Sequence, residues 1–411
     1  MEFISSVYRW VQERWKKANP LLRIVYILSL LIIVTLLIGV PFFASRLGET
    51  LAKFHPTAQA AIFMFFLVGW VAFILFGWER ATRAEELKAE NSKLKEQVQV
   101  AEGEEKRRHD ESQAGVWHRD CAVAVPGMLS KSTRKTRFLT VLNFKGDVGK
   151  TTLAANLAAC LGLAKHPLRV LLVDLDYQGT LGRDAVEPSL LAAQTRHNAF
   201  VNRLLLEPPT AGLLKALAVP MNGVPGVEVI LANDSLAPED FKLQARFFLD
   251  PIAEPRYQFR KHLHTAEVFK DYDLVIFDCP PGVTTSVVNA VVCSDYVLIP
   301  TFLDRGSIAG VPRIREWMRN MRSHCPAELL AVVACRAKTW RDRLANLDAK
   351  SFENLRAVVK SACGGDLLLK AYVADRAEAV GPDPGHVASL TPEGQAVFAS
   401  VVAELRKRME I

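Results

Sequence analysis

The run RFLTVLNFKGDVGKTTLAANLAACLGLA, residues 137–164, constrains this chain more than any other stretch. It opens as a short, apolar, β-prone segment. It then crosses a loop containing Gly146 and Gly149 and continues in small and aliphatic residues that favour helix. Strand, glycine-containing loop and helix, in that order, are the context that turns a motif match into a phosphate-binding loop. The backbone N–H groups of Gly146, Asp147, Val148, Gly149, Lys150, Thr151 and Thr152 are expected to wrap phosphates at the helix N-terminus, where the helix dipole favours anions. Lys150 is expected to reach the β- and γ-phosphates, and the Thr151 hydroxyl to ligate Mg²⁺.

Two later segments supply carboxylates at strand ends. RVLLVDLDYQGTLG places Asp174 and Asp176 after one apolar run, and DYDLVIFDCPPG places Asp278 after another. Carboxylates at strand ends beside a phosphate loop stand where Mg²⁺ and an attacking water require them. Further apolar runs at 227–232 and 329–335 read as strands. The expected fold is therefore α/β: a mostly parallel, doubly wound P-loop NTPase sheet over residues 136–411, with helices on both faces. Residues 180–225 and 236–268 read as helices and loops outside the sheet. The stretch 390–409 reads as a final helix capped by Thr391, with Pro392 at its first position.

These motifs resemble those of the ParA/MinD family of deviant Walker A (SIMIBI-class) P-loop ATPases, which carry KGGVGKTT, then DxDPQG, then DCPPS. Here the three are Lys145-Gly146-Asp147-Val148-Gly149-Lys150-Thr151-Thr152, Asp174-Leu175-Asp176-Tyr177-Gln178-Gly179 and Asp278-Cys279-Pro280-Pro281-Gly282. The likeness covers roughly residues 136–320 and extends to SDYVLIPTFLDRGSIAG. It implies ATP and Mg²⁺ as cofactors and slow ATP hydrolysis. It also implies a homodimer in which Lys145 crosses to the partner's bound phosphates. In that likeness Asp176 orients the attacking water, Asp278 holds Mg²⁺ through water, and Asp174 supports the magnesium site. Three positions depart from the pattern: Asp147 for a glycine, Tyr177 for a proline and Gly282 for a serine. None removes a catalytic group, though Asp147 brings a carboxylate near the triphosphate.

The first hundred residues have a different character. Twenty-two residues between Arg23 and Arg46 carry no charge, and neither does AAIFMFFLVGWVAFILFGW at 60–78. A helix needs about 20 apolar residues to cross a bilayer. Residues 1–78 are thus expected to hold transmembrane helices at about 24–45 and 60–78. Basic residues gather before the first run (Arg9, Arg14, Lys16, Lys17, Arg23) and after the second (Arg80, Arg83, Lys88, Lys93, Lys95). That asymmetry puts both ends and the ATPase domain in the cytoplasm, on a bacterial inner membrane. Ala84, Leu87, Asn91, Leu94, Val98 and Ala101 follow a heptad spacing over 79–102, with Asn at one a position, which favours a parallel coiled coil. Residues 103–135 turn polar and irregular and read as a linker.

The seven cysteines include no CxxC pair, which argues against a zinc site or a disulfide framework. Net charge is +7. The Arg315, Arg319 and Arg322 face is read as solvated rather than as a DNA contact, and His262 and His264 as surface residues. The expected function is a membrane-anchored ATPase that dimerises with nucleotide and positions or recruits an unidentified protein partner at the bilayer. Two alternatives stand beside it: a tyrosine autokinase of the bacterial exopolysaccharide type, and a hydrolysis-deficient nucleotide-sensing scaffold. Against the first, the C-terminal tail has no tyrosine cluster, Tyr372 being the last.

Overall fold

Runs such as VLLVD and LVIFD are apolar at every position but the last rather than at alternate ones, the signature of strands covered on both faces. The computed structural model describes residues 131–250, 252–340, 343–375 and 387–411, together with Arg83 and Trp117–His118. The chain divides into two units, 1–106 and 107–411, and apart from Arg83 the described residues belong to the second. The runs at 24–45 and 60–78, the heptads of 79–102 apart from Arg83, and most of 103–130 lie outside the described residues. Among the described residues, no helix is long and apolar enough to cross a membrane.

Four strands make the centre of one sheet: β1 (Arg137–Val141), β2 (Val170–Asp174), β5 (Leu274–Asp278) and β6 (Tyr296–Thr301). β4 (Val227–Ile230), β7 (Glu328–Ala337) and β10 (Leu368–Ala374) extend it in parallel to either side. β3 (Ala218–Pro220) runs antiparallel, against β4. The eight strands lie in the order β10-β7-β6-β1-β5-β2-β4-β3. A short ribbon of β8 (Thr339–Trp340) and β9 (Arg343–Leu344) forms a sheet of its own. β3 falls inside the stretch 180–225, which the sequence reads as outside the sheet; three residues at an edge, ended by Pro220, carry too little pattern to register.

Alternate side chains divide the core into two layers. Phe138, Leu171, Val173 and Phe277 face one side. Helices Thr285–Cys293, Arg305–Asn320 and Asn346–Cys363 cover them there. Leu139, Val141, Val170 and Leu172 face the other. There they meet helices Lys150–Gly162 and Pro392–Met409. The doubly wound arrangement expected from the sequence is thus present. Thr391 caps its helix as expected, accepting from the Gly394 N–H.

The packed domain reaches past the boundary drawn at Thr136. Arg134 is buried against Asp295, with Nη2 2.5 Å from Oδ1. Trp117 is fully buried, its indole stacked on Phe247 with ring centroids 5.0 Å apart. Its carbonyl accepts from Arg256 Nη1 at 2.9 Å. One tryptophan inside a polar stretch gives no period to read, so only the tertiary packing reveals the anchor. Trp117→Ala is expected to destabilise the domain by about 3–5 kcal/mol, in line with large-to-small aromatic changes in cores. Chemical denaturation measures this, and a loss under about 1 kcal/mol contradicts the anchor.

His262 and His264 also differ from their surface reading. His262 Nε2 pairs with the Glu207 carbonyl at 3.0 Å, and His264 Nε2 with the Cys293 carbonyl at 2.9 Å. Burial pushes the His264 imidazole down to about 4. Both rings are neutral structural groups, and their basic sequence neighbours mislead.

Candidate active site

Parallel register brings the three motifs together. Val141 and Asp174 each stand opposite Asp278, so β1, β5 and β2 end side by side. The loop 142–149 leaves β1 at this rim and turns into helix Lys150–Gly162. Two loop residues are left-handed: Asp147 at φ 56° and Gly149 at φ 82°. Aspartate is among the few non-glycine residues that tolerate that region, which explains how Asp147 replaces a glycine without breaking the loop. Asp147 is exposed at the mouth of the site.

A cleft of about 400 Å³ opens over this rim. Gly146, Asp147, Gly149, Lys150, Thr151, Thr152, Asp176 and Pro281 are among the residues that line it. Lys150 is nearly buried and its Nζ donates to the Lys145 carbonyl at 2.9 Å, closing the loop. Burial lowers the Lys150 amine, while Asp278, Cys279, Asp176 and Asp147 act to raise it. Val148, fully buried, pins the loop to the core.

The Asp174 and Asp278 carboxylates are fully enclosed. Asp174 Oδ1 accepts from the Asp176 N–H at 2.9 Å, but its Oδ2 and both oxygens of Asp278 have no hydrogen-bond partner. Burial, with Asp278 beside it, holds Asp174 well above the usual carboxylate range. Burial raises Asp278 to about 7; the Thr151 hydroxyl and the Lys150 ammonium pull the other way. Buried, unpartnered carboxylate oxygens are costly unless a cation satisfies them. Among the described residues no group of three or more His, Cys, Asp or Glu could hold a metal by itself. That donor set suits Mg²⁺, which binds through one or two carboxylates and takes its other ligands from phosphate and water. Asp176 is positioned by its own turn: its Oδ1 accepts from the Gln178 N–H at 3.0 Å.

The Asp278 shift has a consequence for stability. The unfolded carboxyl releases its proton near pH ~3.9, whereas the folded one keeps it to about 7. The folded state therefore binds more protons across that window, and stability falls as pH rises through it. Without nucleotide or Mg²⁺, Asp278→Asn is expected to stabilise the domain by roughly 2–3 kcal/mol more at about pH 8 than at about pH 5. Paired denaturation curves measure the difference; an equal effect at both pH values contradicts it.

Lys145 does not face the phosphate loop of its own chain. Its Nζ lies 3.0 Å from Asp304 Oδ1 and 2.9 Å from Ser307 Oγ. Asp304 is the cap of helix Arg305–Asn320, accepting from the Ser307 N–H. Asn143 holds the base of the lysine, its Oδ1 accepting from the Lys145 N–H at 2.9 Å.

The cleft also carries residues the sequence did not single out. Phe302, Cys335 and Arg336 line it with Val373 and Phe398. Arg336 is left-handed at φ 52°, its guanidinium 5.5 Å from the centre of the Phe302 ring and Nε 3.2 Å from Asp375 Oδ1. A bulky residue in that backbone region is uncommon and gathers at functional sites. No local motif marks it; only its place at the end of β7 does.

Residues 136–330 match the family described as AAA domain. Curated relatives include the sporulation initiation inhibitor protein Soj of Bacillus subtilis, 27% identical over 47% of this chain and 69% of that one. The chromosome partitioning protein ParA of Caulobacter vibrioides is 27% identical over 55% and 78%. The ParA of Myxococcus xanthus is 32% identical over 43% and 56%. Among solved structures, the ATP complex of a Cyanothece McdA variant superposes with a TM-score of 0.50 at 17% identity, over 68% of this chain and 98% of that one. That likeness concerns the fold. The family match and the relatives cover the same region as the three motifs.

Proposed function

We propose that this chain is a membrane-anchored, ParA-like ATPase: it binds Mg-ATP, pairs with a second copy through the bound nucleotide, and hydrolyses ATP slowly to position or recruit a protein at the bilayer. The observation that carries the nucleotide part is the pair Asp174 and Asp278. Their three unpartnered, buried oxygens lie at strand ends beside Lys150 and the amide-rich loop 146–152. Thr151, Asp278 and Asp174 are the residues that would hold Mg²⁺. Bound there, it would offset the negative charge of the phosphates. Lys150 holds the triphosphate and the loop N–H groups orient it. Asp176 holds the attacking water. Lys145 acts on the partner's phosphates after leaving Asp304. That exposed ion pair is worth only about 0–1 kcal/mol, so releasing it is cheap.

The anchoring part rests on the uncharged runs at 24–45 and 60–78 and on their basic flanks. Tethered domains meet at high effective concentration, so pairing depends little on bulk concentration. Against the autokinase alternative, Tyr372, the last tyrosine, lies in β10 with its ring edge-to-face with Phe352. The test is oligomeric state and phosphate release together, on detergent-purified full chain with ATP, ADP or no nucleotide. Dimers with ATP alone, and free phosphate without protein phosphotyrosine, are expected. Association that ignores nucleotide, with no phosphate released, overturns the reading.

A further inference from the structure

Asp240 is a buried carboxylate held by a hydroxyl and a backbone N–H. It is 8% exposed, in the first turns of helix Leu236–Leu249. Its Oδ1 accepts from the Ser286 N–H at 3.0 Å and its Oδ2 from the Ser286 hydroxyl at 2.7 Å. The Thr285 hydroxyl donates to the Asp240 carbonyl at 3.0 Å. Thr285 and Ser286 are both fully buried. They open the helix Thr285–Cys293, which follows the loop 279–284 leaving Asp278. That loop is therefore held at two ends, by β5 at Asp278 and by Asp240 at Ser286. Between them Pro281 lines the cleft, and Gly282 turns at φ 90°. Burying a carboxylate is expensive, and an apolar residue would fill the same space at lower cost. Here these hydrogen bonds at Asp240 all reach the start of one helix, the helix behind the Asp278 loop.

The opposite end of helix Leu236–Leu249 makes a second attachment. Phe247 stacks on Trp117, which precedes the described run 131–250 in the sequence. On its outer side the helix leaves Phe241 71% and Leu249 84% exposed. Two inward anchors thus join one helix to the start of helix Thr285–Cys293 and to Trp117.

We propose that Asp240 is a positioning residue for the loop 279–284, and that helix Leu236–Leu249 transmits the position of that loop to Trp117 and so to the N-terminal segment. The inference rests on the nucleotide reading of the cleft. It adds to it the route by which occupancy of the cleft reaches the part of the chain expected at the bilayer.

The test uses the full chain in detergent, without nucleotide, with Mg-ADP, and with a non-hydrolysable Mg-ATP analogue. Hydrogen exchange is followed in peptides covering 146–152, 236–249 and 285–293, and phosphate release is measured with Mg-ATP. In the wild type all three peptides are expected to change with nucleotide. In Asp240→Asn, KM is expected to stay within about threefold and kcat to fall about tenfold. Peptide 236–249 is expected to stop responding while 146–152 still responds. Ser286→Ala keeps the carboxylate and loses one donor; it should shift the same readouts less, and it carries the test if Asp240→Asn does not fold. Wild-type kcat together with a responsive 236–249 in either folded variant overturns the proposal, because a merely structural bond predicts that result. A wild type in which 146–152 responds and 236–249 does not overturns this inference alone. A wild type in which no peptide responds overturns the nucleotide reading with it.

Discussion

Lys150→Ala is expected to cut phosphate release by about 10²–10³-fold and to weaken Mg-ATP binding in parallel, the scale of losing one preorganised charge donor. Three observations set that size. The amine is nearly buried, so no solvent cation substitutes for it. It donates to the Lys145 carbonyl at 2.9 Å, so its removal also opens the loop that presents the N–H groups. It is a group that offsets burial at Asp278, so without it that carboxyl holds its proton more tightly still. A protonated Asp278 is a poor magnesium partner. Lys150→Arg should not rescue the loss, because a planar guanidinium does not fit a loop closed around a compact ammonium. Binding of a fluorescent ATP analogue and release of phosphate measure both effects. Activity within about tenfold of wild type in the alanine variant removes Lys150 from the site.

Lys145→Ala is expected to separate binding from turnover. Half-exposed and bound to Asp304 and Ser307, the side chain contributes little to the cleft of its own chain. Binding of ATP should therefore stay within about threefold of wild type. Hydrolysis should fall by about 10³-fold or more if the lysine reaches the partner's phosphates as an arginine finger does. Mixing settles the geometry. A Lys145→Ala chain paired with a Lys150→Ala chain leaves one composite site with both lysines only if Lys145 acts across the pair. Recovery of part of the activity in the mixture supports the crossing role. Full activity in Lys145→Ala alone sinks it, and leaves the lysine as a surface partner of Asp304.

The centre of the sheet and the phosphate loop were legible because each is written locally. β1, β2 and β5 are short apolar runs, and the residues that end them, Val141, Asp174 and Asp278, stand in register without further information. The loop 142–149 carries its own glycines. What was not legible is written in tertiary contacts. Trp117 sits among polar neighbours, and its stacking partner Phe247 lies far along the chain. Arg336 acquires its place from the end of β7 and from Phe302, neither of which forms a motif with it. The cis partner of Lys145 is Asp304, which sequence spacing alone offers no reason to choose. Asp240 reads as an ordinary helix-start acid until Ser286 is seen beside it.

The order of strands has a consequence for how the chain is made. β1 pairs with β5 on one edge and β6 on the other, so Arg137 meets Leu274 and Leu139 meets Tyr296. Ribosomes add about 5–20 residues each second, so roughly 7–27 s pass between synthesis of β1 and synthesis of its first neighbour. During that interval RFLTV has two open edges, and the glycine loop behind it has no Asp278 to face. The nascent chain must keep an aggregation-prone segment apart from its copies until β5 and β6 have emerged. Synonymous changes that slow translation between 170 and 274 lengthen that exposure, and with it the yield lost to aggregates, without altering a single residue of the finished protein.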